Sequence, residues 1–340
     1  MLQFGLSTFA DLGELSPQQR FRNLLEEGQL ADQMAFDVFA IGEHHRSDYA
    51  VSAPPVALGG IAAVTKNIRL SSAVTVLSSE DPVRVFQQFA TLDNISGGRA
   101  EIMAGRGSFT ESFPLFGYDL QDYETLFAEK LDLLVKLCRN GVVSASGKHV
   151  QSLQEVTVYP RPIQDPLPLW VAVGGTPESV IRAGRYNLPL TLAIIGGRWA
   201  HFMPYVELYR KVLAEADHGN AQICINQHCY VAEDSQQAAA EFYPAHHGVF
   251  SRIGRERGWQ PGGQAEFDAA LRPEGHLLVG SPQQLIDKLC AEQDAFGNTR
   301  FLLQTSIGNL PHKKVLDSIE LLATKVIPAV RQHVAHTKNA

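Results

Sequence analysis

The chain has few cysteines, and none of them forms a metal or redox motif. Cys138, Cys224, Cys229 and Cys290 are its only cysteines, no two of them are spaced as Cys-x-x-Cys, and all have apolar neighbours. Such spacing is typical neither of zinc sites nor of thioredoxin-like proteins. We therefore expect reduced, structural thiols, as in proteins of reducing compartments.

Long apolar runs and an excess of basic residues are also missing. No run approaches the ~20 apolar residues that a membrane-spanning helix needs. The first residues have neither the basic nor the apolar region of a secretory leader. The net charge is −7, with no basic stripe, which argues against nucleic acid as a partner. These absences predict a cytoplasmic protein that binds neither membranes nor nucleic acid.

The chain is instead rich in short apolar runs that alternate with helix-like stretches. The eight runs lie at 3–9, 37–41, 68–77, 100–104, 169–173, 190–195, 223–231 and 301–304. This alternation predicts a parallel sheet, and eight units favour closure into a (β/α)8 TIM barrel over an open doubly wound sheet.

We predict one domain over 1–340, with insertions after strands four and seven. Residues 244–275, the second insertion, are rich in Gly, Arg and His and are the least regular part of the chain. A segment of this length is too long for a simple connector in a compact domain, so it is predicted to be a lid. His246 and His247 within it are interpreted as a solvated lid face.

Three ionisable residues end the second apolar run. Glu43 and His45 would share one side of an extended chain, with His44 on the other. Adjacent histidines are poor joint ligands for one metal, so we predict no metal here. His44 is the candidate general acid or base, and Glu43 is the candidate anchor of a hydrogen-bond network. The alternative is that the three residues only cap the strand.

Two glycine-flanked groups end strands four and five. Gly174, Gly175 and Thr176 follow a buried run and open a helix that includes Ser179. Free N–H groups and hydroxyls at such a helix start suit an anion. Arg106 ends the neighbouring strand and suits bidentate phosphate binding. We therefore predict that these groups meet on one phosphate, while ordinary turn and cap chemistry is the alternative.

Several motifs, in order along nearly the whole chain, resemble those of bacterial luciferase-like flavin-dependent monooxygenases. They are Ile41-Gly42-Glu43-His44-His45, Asp81-Pro82-Val83-Arg84, the stretch 92–99, Gly105-Arg106-Gly107 with the stretch 113–118, Gly174-Gly175-Thr176-Pro177-Glu178-Ser179, and Val279-Gly280-Ser281-Pro282. The resemblance implies a barrel that binds FMN at the carboxyl ends of its strands.

By the same resemblance, Arg106, Gly174, Gly175, Thr176 and Ser179 would surround the FMN phosphate. A non-prolyl cis peptide would join Ala73 to Val74 under the flavin ring, where small residues lie, and His44 would be the catalytic acid or base, with Glu43 beside it. A separate flavin reductase would supply reduced FMN, O2 would oxygenate a small organic substrate, and the protein would be a homodimer.

The chain also departs from luciferase. Gly105 stands where luciferase has a reactive cysteine, Phe109 where it has a tyrosine, and Gly174 and Gly175 where it has a Glu-Ser pair. These differences argue against light emission and long-chain aldehyde oxidation. Three alternatives stay open: a deazaflavin-dependent hydride-transfer enzyme, a non-catalytic flavin-binding subunit, and a metal hydrolase.

Overall fold

Eight parallel strands close into a barrel in the computed structural model, which describes residues 2–107 and 109–337. The strands pair in chain order, and β1 pairs with both β2 and β8, which closes the sheet. The barrel strands are β1 (Gln3–Thr8), β2 (Val38–Ile41), β3 (Arg69–Ser72), β4 (Ala100–Gly105), β5 (Leu169–Val173), β6 (Leu190–Ala193), β7 (Ile223–Val231) and β8 (Arg300–Gln304). The predicted (β/α)8 TIM barrel is therefore confirmed.

Helices follow the strands and cover the outside of the barrel. They are α1 (Pro17–Gln33), α2 (Pro54–Val64), α3 (Pro82–Ser96), α4 (Ser112–Leu115), α5 (Tyr123–Arg139), α6 (Pro177–Arg185), α7 (Met203–Glu215), α8 (Ser235–Arg257), α9 (Gln264–Leu271), α10 (Pro282–Phe296), α11 (His312–Leu321) and α12 (Ile327–Thr337). Single 3-10 turns precede α5 and α7, and a π-helical turn (Leu322–Val326) joins α11 to α12.

Among the described residues, four short strands lie outside the barrel order. Thr75–Val76 extends β3 along β4, and Leu278–Gly280 pairs with the end of β7. Val143–Ala145 and Leu153–Val156 form an antiparallel hairpin between α5 and β5.

Helix starts follow capping chemistry that can be seen in the sequence. The Asp81 side chain accepts a hydrogen bond from the Arg84 amide at the start of α3, and Pro82 occupies the first turn, where its missing N–H does no harm. Gly97 ends the same helix with a left-handed φ of 71°. At α10, Ser281 and Gln284 cap each other reciprocally.

Buried ion pairs fill the N-terminal end of the barrel. Glu101 accepts hydrogen bonds from Arg300 at 2.5 Å and from Arg69 at 3.0 Å, and the Arg300 guanidinium lies 4.2 Å from the centre of the Trp170 ring. Burial alone would raise the pKa of Glu101, but the charge of Arg300 and its hydrogen bond hold that pKa below its ordinary value. These contacts therefore tie β3, β4 and β8 together at this end of the barrel.

Two predictions about regularity were wrong. Residues 244–275 are mostly helical, because α8 continues through Pro244 to residue 257 and α9 follows. The Asp234 side chain caps α8, and Ala245 and Val249 bury its inner face. The third apolar run, predicted as one strand over 68–77, is divided into two by residues 73 and 74.

Within the described ranges, none of the helices combines the length and apolar character needed to cross a membrane.

Candidate active site

A cavity of about 290 Å³ opens at the carboxyl ends of the barrel strands. This is the end at which (β/α)8 barrels carry their active sites. All of the predicted site residues except Gly175 line it: Glu43, His44, Ala73, Val74, Arg106, Gly174, Thr176 and Ser179. Gly175 lies between two lining residues, with a φ of 133° that favours glycine.

Glu43 and His45 interact directly on one side of the chain after β2. The Glu43 carboxylate contacts His45 Nε2 at 2.8 Å and accepts a hydrogen bond from the Val76 amide at 2.9 Å. The hydrogen bond that the Glu43 carboxylate accepts from the protonated ring raises the pKa of His45 above its ordinary value. Glu43 thus anchors both a histidine and the backbone after β3.

His44 lies on the other side of the chain, inside an aromatic enclosure. Its ring centre is 4.1 Å from that of Tyr49, 4.8 Å from Phe9 and 5.3 Å from Phe109. Its Nε2 is buried without a hydrogen-bond partner among the residues that the structure describes. Burial lowers the pKa of His44 to about 3. At neutral pH the imidazole is therefore uncharged, with one ring nitrogen left for a hydrogen bond to a molecule in the cavity.

The structure brings together the two groups that the sequence predicted to share a phosphate. Arg106 Nη2 donates to the Thr176 hydroxyl at 2.5 Å, and Nη1 of the same guanidinium contacts the Glu124 carboxylate. The guanidinium carbon also lies 5.0 Å from the centre of the Tyr123 ring. Arg106 and the start of α6 therefore face one point at the edge of the cavity.

Ser179 adds a hydroxyl to the same point. It is buried in the first turn of α6, and no described residue forms a hydrogen bond with its Oγ. The positive end of the helix dipole, two hydroxyls and a guanidinium are the donor set that a phosphate group requires. The chemistry of these donors therefore fits a dianion.

The floor of the cavity is made of small residues at a break in β3. The peptide bond between Ala73 and Val74 is cis, as the family resemblance implied. The Val74 side chain packs on Gly105, where an added Cβ would come within 2.8 Å of a Val74 methyl carbon. Gly105 therefore makes room for the Val74 side chain rather than supplying a reactive group.

The sequence interpretation missed the residues that point into the barrel below this floor. They are Met103, Ala172, Thr191, Ala193, Asn226 and Leu302. Asn226 donates to the Ser7 hydroxyl at 3.1 Å and to the Leu302 carbonyl at 2.9 Å. Alternation along β4 to β8 could have identified these residues, because every second side chain of a barrel strand points inward.

His246 and His247 do not form the predicted solvated face. His246 is half-buried, with its ring centre 4.4 Å from Phe250 and 5.5 Å from Phe267. Burial lowers its pKa to about 4. His247 contacts Ser251 one turn further along α8. Both histidines pack within helical structure.

Glu43, His45 and Glu80 bring one ligand atom each to within 4.8 Å of one another, a geometry that could hold a cation. Glu43 and His45 already bind each other there. That the protein binds no metal stays a prediction.

Known proteins share this architecture. Residues 2–299 match the family described as luciferase-like monooxygenase. The alkanal monooxygenase alpha chain of Photobacterium leiognathi is 24% identical, over 93% of this chain and 95% of its own length. The monooxygenase RslO1 of Streptomyces bottropensis superposes with a TM-score of 0.85 at 25% identity, over 96% of this chain and 99% of its own.

A further similar structure carries a flavin. The oxygenating constituent of 3,6-diketocamphane monooxygenase from Pseudomonas putida, a Baeyer-Villiger enzyme in complex with FMN, has a TM-score of 0.77 at 18% identity, over 97% of this chain and 99% of its own. At that identity the likeness concerns the fold. The family match covers most of this chain, and its relatives are oxidoreductases. The chain therefore belongs to the luciferase-like monooxygenase family and is an enzyme of the oxidoreductase class.

Proposed function

We propose that the protein is an FMN-dependent monooxygenase that uses reduced flavin and O2 to oxygenate a small organic substrate. One observation carries the proposal: Arg106, Thr176 and the unpartnered hydroxyl of the buried Ser179 converge at one edge of the cavity that also holds His44. Donors for a phosphate and an uncharged imidazole in one cavity match a ligand that has an anionic tail and a reactive ring.

The residues present fit FMN at both ends. Arg106, Thr176, Ser179 and the glycine turn at Gly174 and Gly175 would hold the phosphate. Small apolar side chains, with Ala73 and Val74 among them, would support the ring. Of the two oxygen atoms of O2, one enters the substrate and the other leaves as water, with reduced FMN as the two-electron donor.

His44 is the residue that we assign to proton transfer. Its Nε2 has no hydrogen-bond partner among the described residues and can exchange a proton with a bound substrate, and general acid–base groups contribute roughly 10²–10⁴-fold to rates. Phe9, Tyr49 and Phe109 keep water away from that nitrogen. Glu43 supports the chain around His44, because its carboxylate binds His45 and the Val76 amide.

Two partners complete the proposal. A separate flavin reductase supplies reduced FMN, and four free thiols fit the reducing cytoplasm in which that exchange occurs. A second copy of the chain forms a homodimer through the exposed apolar side chains of α2 and α3, among them Val56, Val64 and Ile95. Sedimentation velocity at low and high protein concentration tests the dimer.

Titration with FMN, riboflavin and a deazaflavin tests the cofactor. We expect FMN to bind more tightly than riboflavin, because riboflavin lacks the phosphate. Reduced FMN is then mixed with O2 in a stopped-flow instrument, with and without the protein. A monooxygenase should delay the appearance of oxidised flavin and transfer oxygen from ¹⁸O2 to an organic substrate. Preferential binding of the deazaflavin, or flavin binding without any oxygenated product from a broad substrate panel, would contradict the proposal.

A further inference from the structure

Arg46 contacts two residues that line the cavity, Phe109 and Glu111, and pairs with three carboxylates. Its Nε donates to Asp48 at 2.9 Å, its Nη2 donates to Glu256 at 2.8 Å, and its Nη1 contacts Glu111. The Arg46 side chain is only 11% exposed. A planar guanidinium with five N–H donors can serve three carboxylates at once, which an ammonium cannot do in the same geometry.

These contacts join three parts of the chain that are far apart in sequence. Arg46 and Asp48 follow β2, Glu111 lies in the loop after β4, and Glu256 lies in the last turn of α8. Arg252, one turn earlier on α8, contacts Asp48 at 2.7 Å. The C-terminal end of α8 is therefore tied to two loops that border the cavity.

The same guanidinium also contacts Phe109, a wall of the cavity. The Arg46 guanidinium carbon lies 4.7 Å from the centre of the Phe109 ring, and that of Arg257 lies 4.8 Å from it. Phe109 in turn packs its ring against His44. Cations near an aromatic ring hold it by electrostatic attraction. The position of Phe109 beside His44 thus depends on Arg46 and on α8.

We propose that Arg46 is a positioning residue that latches the end of α8 to the two loops that border the cavity, and that this latch opens to let flavin and substrate pass. The identity of the molecules that pass rests on the proposed function, whereas the latch itself does not. The Glu111 and Glu256 side chains are 37% and 41% exposed. Ion pairs that meet water are weak and are screened by salt, which suits contacts that break and re-form.

Loss of Arg46 would leave Glu111 and Glu256 without the cation that they share, whereas Asp48 would keep its contact with Arg252. Repulsion between the two glutamates would move the last turn of α8 away from the loop after β4. Phe109 would keep only its contact with Arg257.

Hydrogen exchange of the flavin-free protein tests the latch directly. In Arg46→Met we expect the amides of residues 250–257 to exchange roughly threefold to tenfold faster than in the wild type. Added salt should speed exchange in the wild type, because it screens the ion pairs, and should slow exchange in the variant, because it screens the repulsion between the carboxylates. Lys313→Met is the control, because it removes an exposed pair with Asp317 on α11, outside the latch. Unchanged exchange of 250–257 in Arg46→Met would overturn the proposal.

Glu256→Gln keeps the proposal testable if Arg46→Met does not fold. It removes one contact of the latch and leaves the Arg46 contacts with Asp48 and Glu111 in place. We expect a smaller acceleration at 250–257 and, in the double variant, an effect no larger than that of Arg46→Met alone. Full additivity of the two substitutions would show that they do not act through one latch.

Flavin release distinguishes this proposal from the proposed function. If the wild type binds FMN, both variants should release it faster in stopped-flow fluorescence, and an equal release rate would overturn the latch. If the wild type binds no flavin, the proposed cofactor is wrong, and the exchange measurement alone decides about Arg46.

Discussion

The two ends of the barrel treat buried polar side chains differently. At the N-terminal end, Glu101 accepts hydrogen bonds from both Arg69 and Arg300. At the C-terminal end, His44 Nε2 and Ser179 Oγ are buried without a hydrogen-bond partner in the described parts of the chain. An unmade buried hydrogen bond costs about 1–3 kcal/mol, so His44 and Ser179 carry a cost that the Glu101 carboxylate avoids. Buried polar groups without partners around a cavity indicate that this end binds a ligand. Buried polar groups that all have partners indicate that they stabilise the fold.

The largest expected effect tests the C-terminal end. His44→Ala should lower turnover by roughly 10²–10⁴-fold, because the proton-transfer group is lost. FMN affinity should change much less, since the phosphate donors are intact. Steady-state turnover and FMN titration measure the two quantities. The control is His149→Ala, at a site outside the cavity lining. Unchanged turnover in His44→Ala would instead favour a flavin-binding subunit without catalysis.

Substitutions at the N-terminal end should change the stability of the fold rather than the rate of turnover. Glu101→Gln should lower the free energy of unfolding by about 3–5 kcal/mol, because it leaves the buried charge of Arg300 without its counter-ion. Adding Arg300→Met should recover much of that loss. Urea denaturation measures both variants, and FMN affinity of the folded protein should stay constant. If Glu101→Gln alone were as stable as the wild type, this network would be dispensable.

A smaller effect is expected at the phosphate edge. Arg106→Met should weaken FMN binding by about 1.5–3 kcal/mol, the range for hydrogen bonds to charged groups, which is roughly 10-fold to 100-fold. Riboflavin lacks the phosphate, so its affinity should be nearly unchanged and serves as the matched control. Fluorescence titration measures both ligands. Equal losses for FMN and riboflavin would place the Arg106 contact elsewhere on the ligand.

The smallest effect concerns Asp11, which follows β1 at the C-terminal end. Burial raises the pKa of Asp11 from 3.8 to about 6. Between about pH 4 and pH 6 the folded state therefore binds more protons than the unfolded state. The free energy of unfolding falls as pH rises through this window, and above about pH 6 the buried Asp11 charge destabilises the fold by its full amount. Asp11→Asn should thus stabilise the protein by about 1–2 kcal/mol near pH 7 and by little below about pH 4. Urea denaturation at both pH values checks the sign, and a destabilised variant at neutral pH would contradict it.

Much of the barrel could be predicted because its strands are buried on both faces. The apolar runs at Leu169–Val173 and Ile223–Val231 coincide with β5 and β7. Strands of a parallel barrel are apolar along their length, so such runs mark them clearly. Neighbouring strands also bring their ends together, which is why the Arg106–Thr176 contact could be predicted from two separate motifs.

The rest depends on tertiary contacts that local pattern does not contain. Residues 244–257 are rich in residues that indicate a loop, and Pro244 removes a helical N–H, yet α8 continues through them with Ala245 and Val249 buried. The ion pairs of Arg46 with Glu111 and Glu256 join residues remote in sequence, and neither motif nor periodicity indicates them. The cis bond after Ala73 followed from the family resemblance, not from the residues.

The buried side chains inside the barrel have a kinetic consequence. Trp170 and Cys224 are among the residues that fill the barrel axis. A molecule near Met103 and Leu302 can therefore enter and leave only at the carboxyl ends of the strands. Reactants and products share that opening, so a product must leave before the next reactant takes its place.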